Sequence, residues 1–252
     1  MLMRRWFVAG MIAALSFLGL AENFVAAQEA PKNVATKAEP RPDQWWQERT
    51  ASMTIKAFDG TAELAFIGDS ITQGWEGGEA KRIWDEKFGP MKPINLGISG
   101  DRTEHVLWRL ANGNLGKLKP KVAVIMIGTN NTGHRQPGKY ECSAEQTAEG
   151  ITQIVKTLRE KWPETKILLL AVFPRGEKAD DAMRIQNVET NKIIAKLDDG
   201  KMVNFLDIGG KFLKEDGTLP REIMPDVLHL NGKGYQIWAD AITPKIKELG
   251  GW

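Results

Sequence analysis

Five short stretches carry most of the continuous apolar character of the chain: Glu63 to Ile67, Pro93 to Leu96, Val122 to Ile127, Lys166 to Val172 and Met202 to Leu206. None alternates cleanly between apolar and polar positions. Unbroken runs of this length are what strands show when helices cover both faces of a parallel sheet. The segments between them carry helical spacing: Ala80 to Phe88, Thr103 to Ala111, Ala144 to Lys161, Asp181 to Leu197 and, after the last run, Lys233 to Leu249. The alternation predicts an α/β domain with a doubly wound parallel sheet of about five strands.

Sheets of that kind bind ligands beyond the carboxyl ends of their strands, which turns the pattern into a map. The first run ends in Gly68-Asp69-Ser70, the second in Asn95-Leu96-Gly97-Ile98-Ser99-Gly100, and the third in Gly128-Thr129-Asn130-Asn131. These polar turns are expected along one edge of the sheet. The loop holding Pro225-Asp226-Val227-Leu228-His229, which leads into the final helix, is expected to return to the same edge.

Composition changes this picture little. The chain has 252 residues, 42% hydrophobic and 26% charged, enough for one full core, and 34 basic against 32 acidic residues leave no broad field to attract nucleic acid or an anionic membrane. Nine tryptophans against two tyrosines suit core packing first and sugar stacking second. The single cysteine, Cys142, has no internal partner and no neighbouring base, so neither a disulfide nor a thiol nucleophile is expected. No histidine pair or cysteine cluster has metal-ligand spacing, and no cofactor is implied.

The amino terminus adds a compartment. Arg4 and Arg5 precede an apolar run from Trp6 to Leu20, followed by Val25-Ala26-Ala27, the pattern of a cleavable export signal over 1–27. The run is short for a permanent membrane anchor. Residues 28–42 hold three prolines among lysine, alanine and glutamate and are expected to be a flexible linker, with the domain over 43–252. A secreted or periplasmic location follows, with no stable membrane insertion once the signal is removed.

A serine hydroxyl becomes nucleophilic when a base takes its proton, and histidine is suited to that near neutral pH. His105 lies inside a helical pattern and suits an exposed or half-buried role, whereas His134 follows the Asn130-Asn131 turn with no carboxylate placed to orient its ring. His229 has Asp226 three residues before it, close enough in a tight loop to hold one ring nitrogen while the other faces a hydroxyl. Acyl transfer also needs donors aimed at a developing oxyanion, and the backbone N–H of Ser70, the N–H of Gly97 and the side-chain amide of Asn130 are candidates. Each residue also has a plainer use: Ser70 and Asp226 as helix caps, Gly97 as a turn residue, and Asn130-Asn131-Thr132 as a glycosylation acceptor.

Taken together, "GDSI" at 68–71, "NLGISGDRT" at 95–103, "GTNN" at 128–131 and "DVLH" at 226–229 resemble the four blocks of the SGNH hydrolases, also called the GDSL esterases and lipases. The resemblance runs from about Trp45 to Trp252. It is nearest to the branch of platelet-activating-factor acetylhydrolase catalytic subunits and their secreted bacterial relatives. It implies a flavodoxin-like three-layer α/β/α fold, Ser70 as nucleophile, His229 as base, Asp226 as its orienter, Gly97 and Asn130 as oxyanion donors, and a possible homodimer. The expected activity is hydrolysis of short-acyl esters, acetyl on carbohydrate above all. The alternatives are a lysophospholipase or thioesterase taking longer chains and, in another class, a carbohydrate-binding protein without turnover. There is no G-x-S-x-G elbow, which disfavours the common α/β-hydrolase fold.

Overall fold

A computed structural model of the chain describes residues 33–113, 115, 117–133 and 142–252. The export segment expected over 1–27, the first part of the expected linker and His134 lie outside these residues. Five parallel strands, β1 (Leu64–Gly68), β2 (Pro93–Gly97), β3 (Val122–Met126), β4 (Lys166–Leu170) and β5 (Val203–Leu206), form one sheet in the order β2-β1-β3-β4-β5. The helices are α1 (Gln44–Phe58), α2 (Ser70–Gln73), α3 (Gly78–Lys87), α4 (Thr103–Asn112), α5 (Ala144–Lys161), α6 (Ala182–Ile194) and α7 (Gly232–Gly250).

Successive strand residues point to opposite faces, and both faces are covered. Ala65 and Ile67 of β1 pack with Trp46 and Met53 of α1, Val106 and Leu110 of α4, and Ile151, Ile154 and Leu158 of α5. Leu64 and Phe66 pack on the other side with Ile83 and Trp84 of α3 and Trp238, Ile242 and Ile246 of α7. The expected three-layer arrangement is what forms. Tryptophan serves it chiefly as core: Trp75 and Trp238 stand 4.9 Å apart between ring centroids, with Trp75 and Tyr235 at 4.6 Å. Among the described residues no helix is long and apolar enough to cross a membrane.

One expectation about the amino-terminal part needs correction. The described portion of the expected linker, 33–42, belongs to the same compact unit as the rest, which begins at Asn33. Asn33 donates through Nδ2 to the Gln146 carbonyl at 3.1 Å, Ala35 is fully buried, and the Ala35 carbonyl accepts from Thr103 Oγ1 at 2.8 Å. A Cβ on Gly150 would stand 2.6 Å from that carbonyl, so a glycine of α5 makes room for the segment. Helix α1 lies in a stretch for which the sequence pattern predicts no element. Its buried positions are Trp46, Thr50, Met53 and Ala57, whereas Trp45, Ile55 and Phe58 are exposed. Small and polar residues on the inner face and large apolar ones outside blur the helical pattern.

The strand order reverses at β1, whose chain leaves to β2 on one side and returns to β3 on the other. The crevice beyond the carboxyl ends of β1 and β3 lies at this switch point.

Candidate active site

Strand β1 ends at Gly68 because α2 starts at once. Asp69 Oδ1 accepts the Ile71 N–H at 3.0 Å and caps α2, which leaves Ser70 in its first turn, where backbone N–H groups have no intrahelical acceptor. A Cβ on Gly68 would stand 2.1 Å from Thr72 Oγ1, so the sharp turn requires glycine. Ser70 is half-buried.

The Asp226–His229 loop returns to this edge. Ser70 Oγ lies 2.9 Å from His229 Nε2, and His229 Nδ1 lies 2.7 Å from Asp226 Oδ2. The neutral imidazole protonated at Nδ1 satisfies both contacts, donating to the carboxylate and accepting from the hydroxyl. Asp226 Oδ1 takes the backbone N–H of His229 at 2.7 Å and of Leu228 at 3.1 Å, so one carboxylate fixes both the ring and the loop that carries it. Burial pushes the Asp226 carboxyl up, but the hydrogen bonds from the His229 ring and backbone outweigh it and hold it below the ordinary range. Val227 sits between them at φ 56°, a conformation strained for a β-branched residue. Its backbone is held on both sides, the N–H donating to the Met224 carbonyl and its own carbonyl accepting from Gly176 N–H, each at 2.9 Å.

The three other polar turns are tied together. Ile98 N–H donates to the Gly68 carbonyl at 3.2 Å, Ser99 N–H to Gln73 Oε1 at 2.7 Å, and Asn130 Nδ2 to the Asp101 carbonyl at 2.8 Å. Arg175, buried in the segment that follows the carboxyl end of β4, donates through Nη1 to the Thr129 carbonyl at 2.8 Å and so holds the Asn130 turn. Asn130 uses one amide hydrogen on Asp101, and the second has no partner among the described residues. Both Asn130 and Asn131 are buried, and the Asn131 amide donates to Thr103 Oγ1 and Glu104 Oε2, so neither is presented for glycosylation.

Gly97 does not offer its N–H to a ligand. That N–H donates to Asn95 Oδ1 at 2.9 Å, and a Cβ there would meet Gln73 N at 2.5 Å, so the glycine serves the close approach of β2 to α2. Three residues on, Gly100 adopts φ +76°, and its N–H has no partner among the described residues. The one signal that "NLGISGD" carries is a second glycine, immediately before Asp101; its positive φ is visible only in the fold.

The remaining candidates are structural. His105 is buried, accepts the Arg102 N–H through Nδ1 at 3.0 Å, and is held neutral by burial and nearby arginines, its pKa lowered to about 3. Cys142 is buried, and burial raises its thiol. Among the described residues no group of three histidine, cysteine or carboxylate side chains is arranged to hold a metal ion.

Asp69 differs in kind. It is fully buried, its Oδ2 has no hydrogen-bond partner among the described residues, and burial, with the Asp101 charge adding, pushes its carboxyl from 3.8 up to about 7. The folded chain therefore keeps this proton at pH values where the unfolded chain has lost it. Its stabilising share is complete below 3.8 and is lost as pH climbs through about 7. Asp69→Asn is expected to remove that decline: urea midpoints measured from pH 4 to pH 8 should fall less steeply with rising pH in the variant than in the parent. Equal slopes would show that Asp69 titrates normally.

Residues 66–237 match the model of the GDSL-like lipase/acylhydrolase family, well over half of the chain. The chain belongs to this family. Platelet-activating factor acetylhydrolase IB subunit alpha2 of Rattus norvegicus is 39% identical over 195 residues, covering 77% of this chain and 80% of that protein. Subunit alpha1 of Homo sapiens is 36% identical over 209 residues, covering 81% and 85%. Among solved structures, an acetyl xylan esterase matches with a TM-score of 0.61 and 25% identity over 73% of this chain and 98% of that one. A GDSL-like lipase from Bacteroides thetaiotaomicron matches with a TM-score of 0.63 and 21% identity over 80% and 97%, which speaks for the fold alone. The chain is therefore a carboxylic ester hydrolase of the GDSL type.

Proposed function

We propose that the chain hydrolyses short-acyl esters, acetyl esters of carbohydrate foremost, through a Ser70–His229–Asp226 triad. The observation that carries this reading is the unbroken relay of 2.9 Å and 2.7 Å from hydroxyl to imidazole to carboxylate. Ser70 attacks the ester carbonyl as His229 takes its proton; the alcohol leaves with a proton returned by His229; water, activated by the same imidazole, then releases the acid from the acyl-enzyme. Asp226 holds the ring in the tautomer this requires.

The negative charge formed on the carbonyl oxygen is assigned to three donors: the N–H of Ser70, the N–H of Gly100 in place of Gly97, and the second amide hydrogen of Asn130. Asn130→Ala is expected to lower kcat by about 10²- to 10³-fold with little change in KM, because the interaction strengthens only as charge develops. Steady-state kinetics on a nitrophenyl acetate check it, and a change confined to KM would contradict the assignment.

The preference for a small acyl group and a polar alcohol is supported by what borders the triad. A cavity of about 200 Å³ beside Asp226 is lined by Arg175, Asp181 and Asp226 together with Met183, Val227 and Leu228, and its three charged side chains can hydrogen-bond a hydroxyl-rich alcohol. The solved acetyl xylan esterase points the same way. With an export segment at 1–27, such an enzyme would meet acetylated polysaccharide outside the cytoplasm. The 39% identical platelet-activating factor acetylhydrolase subunit favours a second alcohol, a glycerophospholipid. Turnover of acetylated xylooligosaccharide, an acetylated glycerophospholipid, and nitrophenyl acetate and decanoate separates these. The reading expects acetylated sugar ahead of acetylated lipid and acetate far ahead of decanoate; the reverse order would overturn it.

A further inference from the structure

The stretch just before the family-matched residues is fastened to the turn that carries the proposed oxyanion donor. Arg49 donates through Nε and Nη2 to the Gly97 carbonyl at 3.0 and 2.9 Å, and Trp46 donates through Nε1 to Asp101 Oδ1 at 2.6 Å. Between these, Arg41 Nη1 donates to the Ser99 carbonyl at 2.7 Å. Arg41 is itself oriented by Asp43, whose Oδ2 accepts from Nε at 3.1 Å, and by the Trp45 ring, 4.9 Å below the guanidinium. A Cβ on Gly100 would come within 2.9 Å of Arg41 Nη1, so the guanidinium is seated against that residue.

The Ser99 carbonyl and the Gly100 N–H belong to one planar trans peptide group, and a bond that fixes one end fixes the direction of the other. Glycine at φ +76° has little intrinsic resistance to a rotation of that plane. A cationic donor on the carbonyl also polarises the peptide and strengthens its N–H as a donor.

We propose that Arg41 is a positioning residue for catalysis: it clamps the Ser99–Gly100 peptide so that the Gly100 N–H faces the oxyanion. This rests on the triad reading above and on Gly100 as donor. Arg41 touches no reacting atom, and it lies in the part of the chain whose composition resembles a linker.

The test compares Arg41→Ala and Arg41→Lys with the parent chain for kcat and KM on nitrophenyl acetate and for the affinity of a short alkyl boronic acid, whose tetrahedral adduct with Ser70 places an oxygen in the oxyanion position. Arg41 is a partly exposed surface residue, and thermal unfolding of each variant is followed alongside. Arg41→Ala is expected to lower kcat and boronate affinity together by about tenfold, with KM unchanged, and Arg41→Lys to restore most of both. A kcat for Arg41→Ala within about twofold of the parent, or a loss confined to KM, would overturn the proposal. Ser70→Ala, run in parallel, separates the two claims: if it retains the parental rate, the triad reading itself fails, whereas an inactive Ser70→Ala beside a fully active Arg41→Ala removes the clamp alone.

Discussion

Ser70→Ala is expected to slow ester hydrolysis by on the order of 10⁶-fold, the scale of losing a triad nucleophile, while leaving the fold intact. The fold should survive because the Oγ makes one described contact, to a His229 side chain that is 40% exposed, and caps no helix. The α2 cap belongs instead to Asp69, through Oδ1 on the Ile71 N–H. Loss of the hydroxyl therefore removes the chemistry without removing a support. Rates on nitrophenyl acetate and unfolding curves on the same samples check both halves. A variant retaining the parental rate would show that another group carries the reaction.

The second large effect concerns stability. Asp101 has no exposed surface; its Oδ1 accepts from Trp46 Nε1 at 2.6 Å, and its Oδ2 accepts from Arg109 Nε at 2.9 Å. Arg109 is buried as well, with Nη2 2.8 Å from the same oxygen. Asp101→Ala leaves a buried guanidinium without its counter-charge and a buried indole N–H without its acceptor, a loss of about 3–5 kcal/mol. Urea unfolding should show it as a lowered midpoint. Arg109→Met alone would strand the carboxylate, whereas changing both partners to apolar residues should recover part of the loss, because the penalty comes from the unpaired charge rather than from the missing attraction. Activity should fall with Asp101→Ala beyond any unfolding, since the anchors to Trp46 and Arg109 that it removes hold in place the Asp101 carbonyl that orients Asn130 at 2.8 Å.

The α/β order was legible because strands buried on both faces need unbroken apolar runs, which few other elements produce. Helix α5 was found with its ends at Ala144 and Lys161 since its start is written locally: Ser143 Oγ accepts the Gln146 N–H, and Gln146 Oε1 accepts the Ser143 N–H at 2.9 Å. Helix α1 escaped notice because its inner face uses Thr50 and Ala57 while Ile55 and Phe58 face outward. The segment 33–42 escaped for a different reason. It is anchored by single contacts of Asn33, Ala35 and Arg41 to distant residues, and contacts of that kind leave no periodicity.

At the site, Ser70, Asp226 and His229 were legible as residue types at a workable spacing, and the fold brings them within hydrogen-bonding distance. The glycine was not. "NLGISGD" holds two, and choosing between them requires knowing that β2 runs through Gly97 and that the Asn95 side chain folds back onto its N–H. Backbone hydrogen bonding of a turn depends on register, which composition does not encode.

The central claim is that the Ser70 hydroxyl is the nucleophile, and peptide mapping after reaction with an organophosphonate ester tests it most directly. The account predicts one adduct per chain, on the peptide containing Ser70, with hydrolytic activity lost in step with labelling and no adduct on Ser70→Ala. An enzyme that is inhibited while Ser70 stays unmodified, or that carries its adduct on another residue, would contradict it.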